Sequence, residues 1–308
     1  MKPSQARGYI LEYVVLKLLK EAGYVKVKPG HIRGRGAEHQ IDAYGVLSIP
    51  TAFIYPIRLL SEAKFYKDPI ELEIIRNFVG VIKDISENYF VNPSHKRNSL
   101  RFTDAGCIFS ASPFDDSAQE YAWAHNIFLM SFSEIDSMKP IIDTIKLIVQ
   151  YPGIVAILND DGDNKQKRII KIFEKIRKSI TKADYPTLVV GILDNIYPVI
   201  LVGKKGWINL IEPPEKKDVL EVIKDYRQDF PDPRLQNLNN KDHLYHIFHI
   251  TIQKQPVEFN IPNFVAKKIF ERIRRKKKII AELQIPFIDK NQGKSVRRII
   301  TLDVKIPN

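Results

Sequence analysis

The chain has 308 residues, of which 44% are hydrophobic and 27% charged, and it contains a single cysteine, Cys107. This length is enough for two domains of ordinary size, and one cysteine excludes both an internal disulfide and a cysteine-rich zinc site. No apolar run reaches membrane-spanning length, and charged residues interrupt the first apolar stretch, which is unlike a signal peptide. We therefore expect a cytoplasmic protein with no membrane partner.

The formal net charge of +12 is unevenly distributed. Basic and acidic residues balance over residues 1–160, so residues 161–308 carry the whole excess. This asymmetry favours a polyanionic partner for the second half. Nucleic acid ranks ahead of a membrane surface because no amphipathic anchor or lipidation signal accompanies the charge. A solvated basic surface is the alternative.

The first half has the pattern of an α/β domain. Apolar residues at helical spacing predict a helix from Ser4, with Ser4 as its N-cap and Gly23 as its stop. A short strand (YVKVK), a glycine-rich loop (GHIRGRGAEHQIDAYG) that enters a strand near Gln40, and a further strand (FIYPIRLLSEAKFY) follow. Asp68-Pro69 predicts the next helix start, and AGCIFSAS and IFLMSF are predicted strands around the helix DDSAQEYAWAHN. This order predicts a mixed sheet sandwiched by helices.

Glu62 and Lys64 give one buried strand an unusual charge pattern. They are two residues apart, so both emerge on one face while Ala63 turns away. Asp42 precedes Glu62 by twenty residues, a spacing that suits the two arms of a hairpin and could bring it beside the pair. Two carboxylates at one point suit Mg²⁺ or Mn²⁺, and such a metal beside an amine suits phosphodiester hydrolysis.

Asp42 followed by Glu62-Ala63-Lys64 resembles the Asp…(Asp/Glu)-x-Lys signature of the restriction-endonuclease-like superfamily, PD-(D/E)xK, which includes Mrr-type restriction enzymes and Holliday junction resolvases. Further segments look like the Mrr-type catalytic domain: EAGY at the end of the first helix, the run into QIDAYG, and IFSASPFDDSAQEYAWAHNIFLMSF. The resemblance covers roughly residues 4–135. It implies a restriction-endonuclease-like fold and metal-dependent cleavage of DNA.

The resemblance also implies roles for individual residues. Gly8 and Glu12 in the first helix belong to the matching pattern. The implied catalytic residues are Asp42, Glu62, Lys64 and Glu12, and the implied ligands of Mg²⁺ or Mn²⁺ are Asp42, Glu62 and Ala63. Many Mrr-type enzymes have glutamine where this chain has Glu62, which favours tighter metal binding here.

Each of these residues has a purely structural alternative. Glu62 and Lys64 could be an ion pair on an exposed strand, although their apolar neighbours argue against full exposure. Asp42 could make turn hydrogen bonds at a hairpin end, and Glu12 could be an ordinary solvated helix residue. His39 could lie near the site or in a turn. A zinc site at His39 is not expected, because the sequence has no second zinc ligand at a suitable spacing from it.

Basic residues outside the triad of Asp42, Glu62 and Lys64 predict contacts with DNA phosphates. Arg33 and Arg35 lie in the glycine-rich loop just before Asp42, where a flexible loop could guide the phosphate backbone toward the metal. The densest basic run lies in FVAKKIFERIRRKKKII, a predicted helix, and such a run usually faces phosphates or solvent. The predicted nucleic-acid contacts in this run are Arg272, Arg274, Arg275, Lys276, Lys277 and Lys278.

The composition of LNDDGDNKQK, residues 158–167, is that of a linker. We expect a nuclease domain over residues 1–155 and a basic α+β domain, for DNA binding or target recognition, over residues 156–308. The second domain is predicted to contain the amphipathic helix IIKIFEKIRKSI and the strands TLVVGI, YPVILVG and GWINLI. The histidines of HLYHIFHITIQ would alternate between faces of a strand, so they are interpreted as structural.

These patterns favour a metal-dependent endonuclease acting on double-stranded DNA. A junction-resolving or repair nuclease is one alternative. A non-catalytic DNA-binding protein on a nuclease-like fold is a second, but such a protein would be expected to have lost part of the triad. An assembly subunit would explain the basic half and not the triad. Double-strand cleavage by a single-site nuclease usually needs two active sites, which is compatible with a homodimer.

Overall fold

A computed structural model of the chain forms two compact units, Met1–Lys182 and Ala183–Asn308. In unit 1 the structure describes residues 1–22, 24–47, 53–88, 101–135, 138–160, 162 and 164–180. In unit 2 it describes the backbone of seven strands, within residues 187–193, 197–203, 234–235, 245–252, 255–262, 278–289 and 294–305.

The described part of unit 1 contains helices on both sides of a five-stranded sheet. Helices and strands are numbered here in the order in which they occur along the chain. The helices are α1 (Pro3–Glu21), α2 (Leu72–Ser86), α3 (Asp116–Ala124), α4 (Lys139–Ile148), α5 (Pro152–Asn159) and α6 (Lys165–Ile180). The strands are β1 (Tyr24–Arg33), β2 (Glu38–Leu47), β3 (Ile57–Lys64), β4 (Thr103–Ser110) and β5 (Ile127–Ser131). A single 3-10 turn, Phe132–Glu134, follows β5.

The sheet is mixed, with strand order β1-β2-β3-β4-β5. β1, β2 and β3 pair antiparallel, whereas β3, β4 and β5 pair parallel. Parallel neighbours require a crossover connection, and α2 and α3 supply the two crossovers. The predicted α/β class with a mixed sheet and flanking helices is confirmed for this unit.

The apolar face predicted for the first helix forms much of the core of unit 1. Six of its residues are no more than 3% exposed: Ile10, Leu11, Val14, Val15, Leu18 and Leu19. The helix begins at Pro3 instead of Ser4, because a proline suits the first helical position and the Gln5 side chain accepts a hydrogen bond from the Lys2 amide at 2.8 Å. Gly23, the predicted stop, lies outside the described residues.

Two element boundaries differ from the sequence prediction because of long-range backbone pairing. The second helix begins at Leu72 and not at Asp68-Pro69, since the Ile70 amide donates to the Pro113 carbonyl at 2.8 Å in a parallel bridge with Phe114. β1 extends into the predicted glycine-rich loop as far as Arg33, and β2 begins at Glu38, because Arg33 pairs with Glu38. The loop itself is therefore only residues 34–37.

The helix α6 belongs to unit 1, although the sequence suggested a boundary at residue 155. Its residues Ile169 and Phe173 are fully buried, and Glu174 forms an ion pair with Lys17 of α1 at 2.5 Å. The segment 158–167 therefore includes the end of α5 and the start of α6, two helices of one unit. An amphipathic pattern shows that a helix has a buried face, but it does not specify which core receives that face.

The described elements of unit 2 are all strands. They are β6 (Thr187–Leu193), β7 (Tyr197–Gly203), β8 (Arg234–Leu235), β9 (Tyr245–Ile252), β10 (Gln255–Pro262), β11 (Lys278–Asp289) and β12 (Lys294–Lys305). These described strands all pair antiparallel, in the order β12-β11-β6-β7-β10-β9-β8. The predicted strands TLVVGI and YPVILVG pair as expected, and HLYHIFHITIQ contributes β9.

One prediction for unit 2 is wrong in part. The helix expected over FVAKKIFERIRRKKKII does not include its last residues, because Lys278 begins β11 and pairs with Lys305 of β12. Pairing with a distant strand has overridden the local helical pattern. Residues 263–277 and the predicted strand GWINLI lie outside the described residues.

Among the helices that the structure describes, none is by itself long and apolar enough to cross a membrane. α4 and α5 meet that length and apolarity only as a pair, across a bend of 59°.

Candidate active site

The pairing of β2 and β3 ends next to Asp42 and Glu62. It runs from Val46↔Arg58 to Ala43↔Ser61, so Asp42 and Glu62 are the next residues of the two strands, just beyond the last pair. At this point the Asp42 carboxylate accepts a hydrogen bond from the Ala63 amide, Oδ2 to N, at 2.9 Å. The side chain of Asp42 thus takes the place of a backbone partner where the two strands part.

Glu62 and Lys64 form an ion pair on the same face of β3, as strand alternation predicts. Lys64 Nζ lies 3.0 Å from Glu62 Oε2, and their side chains are 25% and 19% exposed, respectively. Between them, Ala63 is buried. The end of the strand is held by β4, since the Ala111 amide donates to the Lys64 carbonyl at 2.9 Å. The pair is therefore half-buried on a fixed strand and is not an exposed surface ion pair.

Glu12 of α1 is the third acidic side chain of this cluster. Burial and the negative charge of Asp42 raise the pKa of Glu12 from 4.5 to about 7, and the Lys64 ammonium partly opposes the shift. These interactions mean that α1 presents Glu12 to the parting ends of β2 and β3. It is not an ordinary solvated helix residue.

The charges of the cluster are coupled to one another. Burial raises the pKa of Asp42, while the Ala63 hydrogen bond and Lys64 lower it less strongly. Burial alone would lower the pKa of Lys64, but the charge and hydrogen bond of Glu62, together with Asp42 and Tyr66, leave it raised. Lys64 is therefore an ammonium at neutral pH. One cation faces three partly buried carboxyl groups.

The donor set fits a hard divalent cation. Asp42, Glu62 and the Ala63 main-chain carbonyl supply only oxygen, which Mg²⁺ and Mn²⁺ prefer. Within the described residues no group of three or more His, Cys, Asp or Glu side chains is arranged to hold a metal ion. A cation here would therefore draw its remaining ligands from water and substrate, as Mg²⁺ commonly does. Its charge would offset the burial of the carboxylates.

The glycine-rich loop is anchored, contrary to the flexible loop expected from the sequence. Asp84 of α2 accepts hydrogen bonds from the amides of Gly36 at 2.7 Å and Ala37 at 3.2 Å. His39 Nε2 lies 2.7 Å from the same carboxylate, and this contact, followed by the amide of Gly36, lowers the pKa of Asp84. His39 thus helps to anchor the loop and does not join the carboxylate cluster.

Arg33, the last residue of β1, and Arg35, in the 34–37 loop, are both exposed near the C-terminal end of α2. Arg35 lies 3.7 Å from Glu87, and the Arg33 carbonyl accepts a hydrogen bond from Asn88 Nδ2 at 2.9 Å. These contacts join the loop to the helix and not to Asp42 or Glu62. In the basic run, Lys278 begins β11, and the other predicted contacts lie outside the described residues: Arg272, Arg274, Arg275, Lys276 and Lys277.

Asp84, the residue that organises this loop, was not predicted from the sequence. One signal was available, because an aspartate near a helix C-terminus is opposed by the helix dipole. A residue kept in an unfavourable local position often has a tertiary partner, and here the partners are the loop amides and His39. Tyr66, which interacts with Lys64, was also missed.

Comparison with known proteins identifies a family for this part of the chain. Residues 4–138 match the family model Mrr_cat, described as restriction endonuclease. The chain matches none of the curated proteins. A crystal structure described as protein of unknown function AF1548 is 19% identical, with 56% of this chain and 95% of that chain covered and a TM-score of 0.32.

The family match spans α1 to the 3-10 turn after β5, and it includes the cluster of Glu12, Asp42, Glu62 and Lys64. A restriction endonuclease domain is of nuclease type, with DNA as the implied substrate. The resemblance inferred from residues 4–135 is confirmed, because residues 4–138 of this chain match the Mrr_cat restriction endonuclease family model.

Proposed function

We propose that the protein is a divalent-metal-dependent endonuclease that hydrolyses phosphodiester bonds of double-stranded DNA. The observation that carries the proposal is the hydrogen bond from the Ala63 amide to Asp42, at 2.9 Å. It holds one carboxylate near Glu62 and Lys64 where β2 and β3 separate. Two carboxylates and an amine lie close together and are partly exposed, within residues 4–138, which match the restriction endonuclease family model.

The carboxylates of Asp42 and Glu62 and the carbonyl of Ala63 would hold Mg²⁺ or Mn²⁺. When bound, the metal supplies Lewis-acid stabilisation of negative charge on the scissile phosphate and lowers the pKa of a bound water. The side chains hold their positions because strand pairing and the Ala63 hydrogen bond fix them before substrate arrives.

Lys64 acts as a charged hydrogen-bond donor. Its raised pKa keeps the ammonium protonated at neutral pH, so it orients the attacking water and stabilises the growing negative charge. Glu62 holds the ammonium at 3.0 Å and limits its movement. This favours an orienting role for Lys64 over that of a general base.

Glu12 lies beside the proposed metal ligands. Its pKa of about 7 belongs to the metal-free protein, and a divalent cation on Asp42 would lower that pKa and favour the carboxylate form of Glu12. Its closeness to Asp42 and Lys64 would let it position a second water beside the metal ligands. We assign Glu12 this supporting role.

Partial burial argues against a decayed, non-catalytic domain. Carboxyl groups held away from water without full compensation destabilise the folded state. Asp42 and Glu12 both show this effect as raised pKa values. Such arrangements are concentrated at functional sites, where chemistry requires them.

The excess positive charge would supply general affinity for the DNA backbone. Residues 161–182 contain eight Lys and Arg against three Asp and Glu, a net +5, and residues 183–308 hold the other +7. Contacts with phosphates from both regions would add affinity without sequence preference. A homodimer would bring two active sites to the two strands.

A cleavage assay with the full chain tests the proposal. Supercoiled, linear, methylated and branched DNA are incubated with Mg²⁺, Mn²⁺ or EDTA, and the ends produced are mapped. We expect cleavage with either metal and none with EDTA. Cleavage confined to branched DNA would favour a junction-resolving or repair nuclease. Absence of cleavage under all conditions would contradict the endonuclease proposal.

Three substitutions test the site itself. Asp42→Asn, Glu62→Gln and Lys64→Ala should each reduce the cleavage rate by roughly a hundredfold or more while leaving DNA binding nearly intact. Asp143→Asn and Lys83→Ala are matched controls, since both residues are exposed on helices. Full activity of Asp42→Asn would show that the wrong carboxylate has been assigned.

A further inference from the structure

Gly8 lies in the interior of α1, four residues before Glu12. Residues four apart lie on the same helix face, one turn or about 5.4 Å apart along the axis. Glycine in a helix interior is less stable than alanine there. A Cβ added at Gly8 would have no atom of the described residues within 4 Å. Packing within the described part of the chain therefore does not require glycine at this position.

The open space at Gly8 adjoins the carboxylate cluster. On this helix face, Leu19 and Val15 are buried, Glu12 interacts with Asp42 and Lys64, and Gly8 comes next toward the N-terminus. Helical side chains lean toward the N-terminus, so the Glu12 side chain extends in the direction of Gly8, but no atom of the described residues comes within 4 Å of a Cβ built there. This face of α1 is therefore buried in the core at Val15 and Leu19 and lies beside the candidate active site at Glu12 and Gly8.

Arg7, the residue before Gly8, carries one hydrogen-bond donor that has no partner among the described residues. Its guanidinium lies 5.5 Å from the ring centre of Phe65, the residue after Lys64. Its Nε is buried and has no hydrogen-bond partner among the described residues. Guanidinium groups bind phosphate oxygens through several donors at once. Arg7 therefore places a cation near the end of β3, next to the residue that leaves space.

We propose that the sugar–phosphate backbone of the cleaved DNA strand contacts α1 at Gly8, with an adjacent phosphate bound by Arg7. The inference rests on the proposed function of the Asp42, Glu62 and Lys64 cluster. The missing side chain lets the substrate backbone approach the helix closely, so that the strand passes Glu12 and reaches the carboxylates. In this proposal the glycine serves the contact with the substrate and not the packing of the fold.

The test compares Gly8→Ala and Gly8→Leu with Gly80→Ala in the full chain. Gly80 is a matched control because it also lies inside a helix, α2, and a Cβ there likewise meets no atom of the described residues within 4 Å. Both alanine variants should raise the melting temperature by about 1–4 °C. DNA affinity without divalent metal and the cleavage rate with Mg²⁺ are then measured for each.

Of the glycine variants, only those at Gly8 should lose DNA affinity and cleavage activity. We expect Gly8→Ala to weaken DNA affinity roughly five- to hundredfold and Gly8→Leu to weaken it more, because added atoms clash with a closely packed contact. The slope of log affinity against log salt should stay constant in the Gly8 series, since the charge of the protein is unchanged. Arg7→Met should instead lower that slope by about 0.9. Gly80→Ala should bind and cleave like the unmodified protein.

Results that differ from these expectations distinguish a failure of the Gly8 contact from a failure of the proposed function. If the unmodified protein cleaves DNA and both Gly8 variants bind and cleave equally well, the Gly8 contact is wrong and the proposed function stands. If the unmodified protein cleaves nothing, the proposed function fails, and the metal-free affinities still decide the contact. If Gly8→Ala lowers the melting temperature, glycine serves the fold, and the inference is overturned.

Discussion

At the scale of single residues, the cluster is defined by carboxyl groups that are only partly removed from water. Asp42 and Glu12 repel each other while one ammonium, Lys64, attracts both. Their protonation is consequently linked to folding. Glu12 shows this most clearly, because its pKa in the folded protein is about 7 and its ordinary value is 4.5.

The Glu12 shift predicts a dependence of stability on pH. A carboxyl group whose pKa is raised by folding contributes stability that is fully present below 4.5 and is lost as pH rises through about 7. In metal-free protein, the free energy of unfolding should therefore fall over this range by more than it does in Glu12→Gln. Urea unfolding with EDTA from pH 4 to 8 measures the difference. Parallel curves for the two proteins would contradict the assignment.

At the scale of elements, the loop at residues 34–37 depends on α2. Its amides and His39 converge on Asp84, and the Arg35 amide donates to the Asp84 carbonyl at 2.8 Å. The turn between β1 and β2 is thereby attached to α2, a helix that follows β3 along the chain. This contact would orient the exposed Arg33 and Arg35 for DNA.

Replacing Asp84 should release this loop. Asp84→Asn should lower the melting temperature at neutral pH, whereas Asp143→Asn on α4 should not. Because its partners lower the pKa of Asp84, its contribution is present above its usual value of 3.8 and is lost as pH falls through the lowered value. The gap between Asp84→Asn and the unmodified protein should therefore shrink in acid. A gap that is independent of pH would show that charge is not the cause.

At the scale of the whole molecule, the charge and the fold divide at different points. The charge excess begins at residue 161, but unit 1 extends to Lys182 because α6 packs within it. A fragment that ends near residue 155 would expose the surface that Ile169 and Phe173 cover. The smallest fragment that contains all of unit 1 is residues 1–182.

Two fragments test this boundary. Residues 1–182 should unfold cooperatively, whereas residues 1–155 should melt at a lower temperature, since they lack two fully buried side chains and the Lys17–Glu174 ion pair. Thermal unfolding followed by circular dichroism measures both. Equal melting temperatures would show that α6 adds nothing to the stability of unit 1.

The basic run of unit 2 should account for part of the salt dependence of DNA binding. Neutralising Arg272, Arg274, Arg275 and Lys276–Lys278 should flatten the slope of log affinity against log salt by up to about 0.9 for each DNA phosphate that the protein no longer neutralises. The comparison is made with the full chain and with residues 1–182. If residues 1–182 bind DNA with the affinity and slope of the full chain, unit 2 has another partner.

Local sequence pattern was sufficient for the features that depend on spacing along the chain. Alternation along β3 placed Glu62 and Lys64 on one face, twenty residues suited the β2–β3 hairpin, and apolar periodicity identified the buried face of α1. These features follow from the two-residue and 3.6-residue periods of strands and helices. These periods also distinguish strands from helices along the chain, so the mixed sheet could be predicted from the order of these elements.

Only the tertiary structure decided which distant partners these elements meet. It assigned α6 to unit 1, anchored the 34–37 loop on Asp84, and made Lys278 the start of a strand paired with β12. It also raised the pKa of Glu12, chiefly by burying the carboxyl group and in addition by bringing the negative charge of Asp42 close to it. Such pairings join residues far apart in the chain, and periodicity within one segment carries no information about the surface that receives it.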